Sequence, residues 1–573
     1  MKKILLTLTL LLCTIKLNAQ VSIDWQKCLG GSGDDDISDN SMLQTSDGGY
    51  IFYGGTKSND GDVSGNHGGK DAWIVKLNST GTIQWQKCLG GSGDDYIHLT
   101  LPTSDGGYIL SGTTTSNDGD VSGNHGGSDI WIVKLNATGT ILWQKCFGGR
   151  GGEYEGSILP TSDGGFIFSV ATPSNDGDVS GNHGGQDAWV VKLNATGTIL
   201  WQKCLGGSGV DNLYSMLQTA DGGYILSGGT SSNDGDVSGN HGGSDIRIVK
   251  LNATGTIEWQ KCLGGSGVDY IHLTLPTSDG GYILSGTTTS NDGDVSGNHG
   301  GGDAWVVKIN ASGNIQWQKC LGGSAGDDTR SILSTSDGGY LLLGDTKSND
   351  GDVSGNHGDQ EAWVVKLDAI GTLQWQKCLG GSSGYDEIIS ILQTSDGGYI
   401  LAGYTFSNDG DVSGNHSGGD GWIVKINATG NIQWQKCLGG IGGDYFYSIL
   451  QTSDGGYVFS GQTKSNDGDV SGNHGLEDIW IVKLAGGTNN LQSMENVKNS
   501  FAIYPNPANT HITLDYDGQI QKVEILDLKG AIVYSSIEPK NELNLPQNIQ
   551  SGYYTVVIQT AEGIVRKELI IEK

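Results

Sequence analysis

The chain has 573 residues, among them 97 Gly and only 8 Pro, and a formal net charge of −30 from 63 acidic and 33 basic side chains. A balance of that sign argues against nucleic acid and anionic membrane surfaces as partners, and after the first residues no apolar run approaches the ~20 residues that a membrane span needs. The length allows several cores, and Gly-rich repetition at a fixed period points to a repeat architecture.

Residues 1–19 have the layout of a secretory signal peptide: the basic start Met1-Lys2-Lys3, an apolar run from Ile4 to Leu12, and the small Ala19 before a cleavage point near Gln20. Cys13 follows Leu12 rather than a small residue, which argues against a lipoprotein box. The mature chain is expected to be exported, and soluble or surface-attached.

Residues 20–484 are repeats of about 58 residues. In the unit from Leu43 to Leu89, Leu43–Thr45 leads into the turn Ser46-Asp47-Gly48-Gly49 and Tyr50–Tyr53 returns from it, the pattern of a hairpin. Ala72–Leu77 follows a long loop, and Asn78-Ser79-Thr80-Gly81 reverses the chain into Ile83–Leu89. Trp, Ile, Val and Tyr suit pleated sheet, and the third run is apolar on both faces, as in a sheet covered on both sides. Four antiparallel strands repeated radially describe a β-propeller blade. The repeat region opens with a lone fourth strand, Ile23–Cys28, and ends after Ile481–Leu484 without one. The spacing therefore predicts an all-β fold: an eight-bladed β-propeller in which the N-terminal strand completes the last blade and no sheet edge is left at the seam. The units resemble the secreted propeller repeats of the Asp-Gly-Gly-Tyr … Trp-Ile-Val-Lys-Leu … Trp-Gln-Lys type in exported bacterial proteins, a resemblance that implies the fold and no ligand. Eight Cys, from Cys28 to Cys437, hold one repeat position. Equivalent places in neighbouring repeats lie too far apart for a disulfide, so these read as small buried strand residues.

The most regular stretch is Asn59-Asp60-Gly61-Asp62-Val63-Ser64-Gly65-Asn66-His67-Gly68, which occurs eight times with starts 58 residues apart and one interval of 59. Counted from Asp60, oxygen side chains stand at positions 1, 3 and 5, Gly at 6 and Asp71 at 12. This is the ligand spacing of a calcium loop. The candidate Ca²⁺ ligands are Asp60, Asp62, Ser64 and Asp71 in the first copy, Asp118, Asp120, Ser122 and Asp129 in the second, and Asp176, Asp178, Ser180 and Asp187 in the third. They continue as Asp234, Asp236, Ser238 and Asp245, then Asp292, Asp294, Ser296 and Asp303, then Asp350, Asp352, Ser354 and Glu361. The last two sets are Asp409, Asp411, Ser413 and Asp420, and Asp467, Asp469, Ser471 and Asp478. Flanking strands, His67 at position 8 and a short Asp at position 12 make the match imperfect, so weak sites are expected. The alternatives are Asx-turns that satisfy a long loop without metal, and a His-containing transition-metal site. With the first strand at the axis, these loops and the links Gly33–Asp36, Gly93–Asp95, Gly326–Asp328 and Gly443–Asp444 emerge on one acidic face.

Catalysis on such a frame requires unlike residues gathered at the axis. The departures from the repeat are Gly149–Glu155, Arg330, Arg247 in place of a strand Trp, and His98 and His272. Arg150, Glu153 and Glu155 suggest a glycosidase-like cluster, against the simpler reading of solvated loop charges. Thr45-x-Asp47-x-Gly49 reads as a hairpin turn, as does the glycosylation-type Asn136-Ala137-Thr138, and the Trp85-type residues read as core rather than sugar platforms. No catalytic residue is assigned. The expected function is a non-enzymatic binding or adhesion module, stabilised by calcium, for a glycan or protein ligand. The alternative is a propeller-type polysaccharide hydrolase or lyase.

Residues 485–499 form a polar linker, and residues 500–573 carry six strand-like runs, His511–Tyr516, Lys522–Asp527, Ile532–Ser535, Glu542–Leu545, Tyr553–Ile558 and Val565–Ile571, which predict a small Ig-like β-sandwich. The opening Tyr504-Pro505-Asn506-Pro507-Ala508, then Val523–Gly530, Ser551–Tyr554 and Lys567-Glu568-Leu569, resemble the type A C-terminal sorting domain of the Bacteroidetes type IX secretion system. That resemblance implies passage through the type IX machinery to the cell surface or medium, removal of the domain, and surface lipopolysaccharide as an anchor.

Overall fold

The first repeat shows how all of them fold. The computed structural model describes residues 22–485 and, nearer the C-terminus, 502–515, 520–526, 532–537, 542–546, 549, 551–560 and 563–572. The expected signal peptide, with Cys13, and nearly all of the expected linker lie outside the described residues. After β1 (Ile23–Leu29) come β2 (Asp35–Gln44), β3 (Tyr50–Thr56), β4 (Asp71–Leu77) and β5 (Ile83–Leu89). These last four form one antiparallel sheet in sequence order, and the same order recurs through the later repeats. The described residues contain strands and no helix, so none is long and apolar enough to cross a membrane.

Closure follows the expected route. The eighth sheet consists of Asp444–Gln451, Tyr457–Thr463 and Asp478–Leu484, with β1 in the fourth place. Ile23 stands opposite Leu484 and Cys28 opposite Trp480, and Trp480 Nε1 donates to Gln26 Oε1 at 2.7 Å. First strands of neighbouring blades pack on one another, β2 against both Asp95–Pro102 and Asp444–Gln451, so the first strands surround the axis. The region is an eight-bladed β-propeller.

The core lies between blades rather than within one. Every residue of β3 and β4 is buried. Phe52, Trp73 and Val75 of blade 1 share a cluster with Ile479 and Ile481 of blade 8, while Ile51 and Ile74 face Leu110 and Trp131 of blade 2. Each such side chain contributes about 1.5–3 kcal/mol by leaving water, which is why the third strand is apolar on both faces. All eight repeat cysteines are free and buried.

The turns on the other face depend on a buried lysine. Lys76 Nζ reaches both carboxylate oxygens of Asp47 and the Thr45 hydroxyl, each at 2.8 Å, and Gly48 at φ +79° closes the turn. Asn136 Oδ1 accepts from Thr138 N and Thr140 N at 2.9 Å, so the sequon-like segment is a hairpin turn.

One boundary differs from expectation. The first strand begins at Asp35 rather than Leu43, and Asp35, Asp95, Asp327 and Asp444 are buried strand residues instead of surface links. Hydrogen bonds draw them inward: Asp95 Oδ2 accepts from Ser116 Oγ at 2.7 Å and Gly91 N at 2.8 Å, and Asp95 Oδ1 accepts from Thr114 Oγ1.

The C-terminal region forms two sheets, one of Ala502–Tyr504, His511–Asp515 and Glu542–Asn544, the other of Ile532–Ile537, Ile520–Leu526, Gly552–Thr560 and Gly563–Ile571. Alternate residues such as Ile512, Leu514, Val523, Ile525, Val556 and Leu569 form its core, the pattern of an Ig-like sandwich. The short strand Ala502–Tyr504 adds to the six expected.

Candidate functional site

Each acidic loop closes over the segment that joins the preceding blade to its own. In the first copy Asp60 Oδ1 accepts from Ser32 N at 2.7 Å, and Asp62 N donates to Gly30 O at 2.9 Å. Gly61, at φ +63°, approaches so closely that a Cβ there would stand 2.4 Å from Gly30 O. Ser64 Oγ accepts from Gln86 Nε2 at 2.5 Å. Asp71 is buried, and its Oδ2 accepts from His67 N at 3.0 Å and faces His67 Nδ1 at 2.7 Å. The four residues expected to share one ion thus face separate partners. The same contacts recur at Asp118, Ser122 and Asp129, and at Asp467, Ser471 and Asp478.

This donor arrangement does not fit a cradle of alternating oxygens around a single ion. Among the described residues no three His, Cys, Asp or Glu side chains are grouped to hold a metal. The loop's own bonds are of the Asx type: Asn59 Oδ1 accepts from Gly65 N at 3.0 Å, Asn66 Oδ1 accepts from Gly68 N at 2.9 Å, and Asn66 Nδ2 donates to Thr56 O at 3.1 Å.

The carboxylates instead work at the junctions between blades. Asp71 Oδ1 and Asp95 Oδ2, from blades 1 and 2, both crowd the Cβ position of Gly90, at 2.8 and 2.7 Å. Burial pushes the Asp71 carboxyl up, and the Asp95 charge adds to the shift. His67 bridges the junction, with Nδ1 on Asp71 and Nε2 3.9 Å from Asp120 Oδ2 of the next blade. His474 does the same across the seam, 4.0 Å from Asp62.

A charged cluster near the axis departs from the eightfold pattern. On the first two strands of blades 5 to 7, His272 Nε2 lies 3.3 Å from Asp328 Oδ1, and Thr287 Oγ1 donates to the same oxygen. Arg330 binds Asp345 Oδ2 at 2.8 Å and pairs with Glu387, which in turn accepts from the Tyr404 hydroxyl. Tyr404 meets the Tyr445 ring edge-on at 4.8 Å. The network borders a cavity of about 360 Å³ lined by Tyr270, His272, Asp328, Arg330, Asp345 and Lys347, among others. Burial pushes Asp345 up to about 6 even though Arg330 opposes it. Against that burial, the bonds from His272 and Thr287 hold Asp328 below the ordinary carboxylate value.

Sequence reasoning singled out Arg330 and His272 but missed Asp345, Glu387 and Tyr404, which are far apart in the chain. The signal was available: Asp345 and Tyr404 share one repeat position, which holds Gly55, Thr113, Thr287 and Gln462 in other blades, and the position of Glu387 varies likewise between Asp36, Tyr96 and Tyr445. Of the cluster suggested by Arg150, Glu153 and Glu155, the first two face separate partners. Glu153 is buried in the place of Asp95, bound to Thr172 Oγ1 at 2.8 Å, while the exposed Arg150 pairs with Asp176 at 3.6 Å. His98 packs on Tyr96, with ring centroids 6.2 Å apart. Trp85 is half-buried under Gly139 of the next blade and tilted against Tyr108. Burial pushes the Cys88 thiol up to about 12, which leaves it a poor nucleophile at neutral pH.

Residues 502–572 match the family described as the secretion system C-terminal sorting domain. No curated protein matches the chain. Among solved structures, Sqt1 from Chaetomium thermophilum is 10% identical over 81% of this chain and 100% of its own, with a TM-score of 0.43. BamB from Moraxella catarrhalis is 14% identical over 82% and 96%, with a TM-score of 0.31. The V. cholerae biofilm matrix protein Bap1 is 12% identical over 80% and 90%, with a TM-score of 0.30.

Proposed function

We propose that this chain, a secreted or cell-surface propeller with a type IX secretion system sorting domain at its end, is a non-enzymatic binding module whose ligand engages the axial end of blades 5 to 7. The observation that carries this reading is the unequal distribution of chemistry. Eight near-identical loops hold the ring together, whereas the charged network from His272 to Tyr404 belongs to three blades only. Binding sites concentrate in concave places where a few polar groups converge with aromatic rings, and this cavity has Tyr270 beside Asp328 and Arg330. Arg330 engages both Asp345 and Glu387, which favours a fixed recognition surface over a free base.

Asp345, at about 6, favours the second reading, a polysaccharide hydrolase or lyase, because a carboxyl that titrates near neutrality in a cavity suits proton transfer. Calcium is not a premise of either reading. Attachment to surface lipopolysaccharide after removal of the sorting domain completes the proposal. The test applies the purified chain to glycan and matrix-protein arrays and, in parallel, incubates it with polysaccharides. Retention without release of chain ends is expected, and sustained release of reducing or unsaturated ends would replace the binding reading with the enzymatic one.

A further inference from the structure

The repeats provide their own internal comparison. At the junction of blades 1 and 2 the residue directly before the third strand is Lys70, whose carbonyl accepts from Asp95 N at 2.6 Å. Its stem lies over Gly55, where an added Cβ would stand 2.2 Å from Lys70 Cε. Its ammonium pairs with Asp36 of blade 1 and stands 5.3 Å from the centroid of the Tyr96 ring of blade 2. The protein thus fills this niche with an alkylammonium held between a carboxylate and an aromatic ring, both of which attract a cation.

At the junction of blades 5 and 6 the same backbone contact, Asp327 N to Gly302 O at 2.7 Å, puts Gly302 in the place of Lys70. The flanking pair is retained with the blades exchanged. By strand register Tyr270 occupies the position of Asp36, and Asp328 that of Tyr96. Where Lys70 lies in the first junction, this one has the cavity of about 360 Å³. Thr287 stands where blade 1 has Gly55, and its hydroxyl donates to Asp328, so a cation has to enter from the mouth rather than across the sheet. Tyr270 is 49% exposed and the Asp328 side chain 43%, within reach of solvent. Arg330 is engaged by Asp345 and Glu387, and the net charge of −30 draws cations towards the molecule.

We infer that this cavity receives an alkylammonium group, supplied by a free polyamine or by a lysine side chain of a partner polypeptide. The inference rests on the reading of blades 5 to 7 as the binding face and gives that face its ligand chemistry. An added Cβ at Gly302 meets nothing closer than Thr287 Cγ2 at 3.5 Å, and Gln stands at the equivalent position in blades 3 and 6 as Gln186 and Gln360. Gly302→Gln is therefore a plug that the fold accommodates.

Calorimetric titration of the intact chain with cadaverine, a short oligolysine peptide and the neutral control pentanol tests the inference. Cadaverine and the peptide should each saturate a single site, and pentanol none. Asp328→Asn should weaken cadaverine about tenfold, Gly302→Gln should abolish its binding, and Lys70→Gly should add a second site at the first junction. Tighter binding of the peptide assigns the ligand to a partner polypeptide, and tighter binding of cadaverine assigns it to a free polyamine. Failure of both amines to saturate, or saturation unchanged by Gly302→Gln, would overturn the inference. Array binding that persists alongside such a failure would leave the binding module intact and remove only its ammonium chemistry.

Discussion

Arg247 stands where seven sister blades have a buried Trp, and it is itself buried. Its guanidinium donates to Asp236 O at 3.2 Å, but its Nε has no hydrogen-bond partner among the described residues. Burial pulls its pKa down, the signature of a charge held at a cost. In a sister blade Trp73 Nε1 donates to Gln86 Oε1 at 2.9 Å, and Gln260 is available for the same bond. Arg247→Trp should stabilise the propeller by about 1–4 kcal/mol, measured by denaturant unfolding, and a loss of stability would contradict this account of the site. At this scale the sequence was legible in type but not in burial. Asp35 and Asp95 read as surface acids because spacing alone does not reveal that a Thr and a Ser two residues apart will turn inward to meet them. For the same reason the alternating oxygens of Asp60, Asp62 and Ser64 matched a calcium loop. Ligand spacing is necessary for such a site, whereas convergence depends on where the neighbouring link passes.

The first strand shows what the hairpin signal left out. It reaches back to the junction through an irregular register between Ile97 and Leu99, and the backbone of Tyr96 lies against Gly112. A Cβ at Gly112 would stand 1.7 Å from Tyr96 O, so no side chain fits without shifting the strand. Gly112→Ala should therefore destabilise the fold by about 1–3 kcal/mol or more, read as a lower melting temperature, and an unchanged melt would show that the strand yields freely. Glycines and acids at the start of this strand concealed it from periodicity. The third strand, apolar on both faces, was legible in full.

For the whole molecule, closure was readable because the missing fourth strand of the last repeat is the extra strand at the start. The axial cluster was not, since Arg330 of blade 6 meets Glu387 of blade 7 only once neighbouring blades have packed. The repeated junctions also set the response to pH. Hydrogen bonds to Asp245, Asp303 and Asp420 hold His241, His299 and His416 above the ordinary imidazole value. Burial pushes those carboxyls up, Asp420 to about 6. The folded chain retains protons that the unfolded chain releases, so the imidazole contribution is complete below about 6.5 and is lost as pH rises through the folded values. On the other face Lys76 and Lys308 hold Asp47 and Asp279 at about 2, a contribution present above about 4 and lost as pH falls through that value. The raised carboxyls lose their contribution as pH rises from about 4 through their folded values, and the imidazoles above about 6.5. Thermal stability should therefore peak near about pH 4 and decline towards about pH 8, and a melting temperature that rises across that upper range would contradict the sign. Asp60 and Ser64 are bound to the chain, while Asp71 Oδ1 is buried without a hydrogen-bond partner among the described residues. Because these oxygens do not converge, a chelator should leave the melt at neutral pH unchanged, whereas a drop of several degrees would restore calcium to the loops.

The division of labour between repeated loops and a unique axial cluster is tested most directly by array binding of two single variants beside the parent chain. Arg330→Gln should lose the parent's glycan or protein hits while its melting temperature stays within a few degrees, and Asp60→Asn should keep them. Hits lost with Asp60→Asn and retained with Arg330→Gln would place the ligand on the acidic loops and contradict the account.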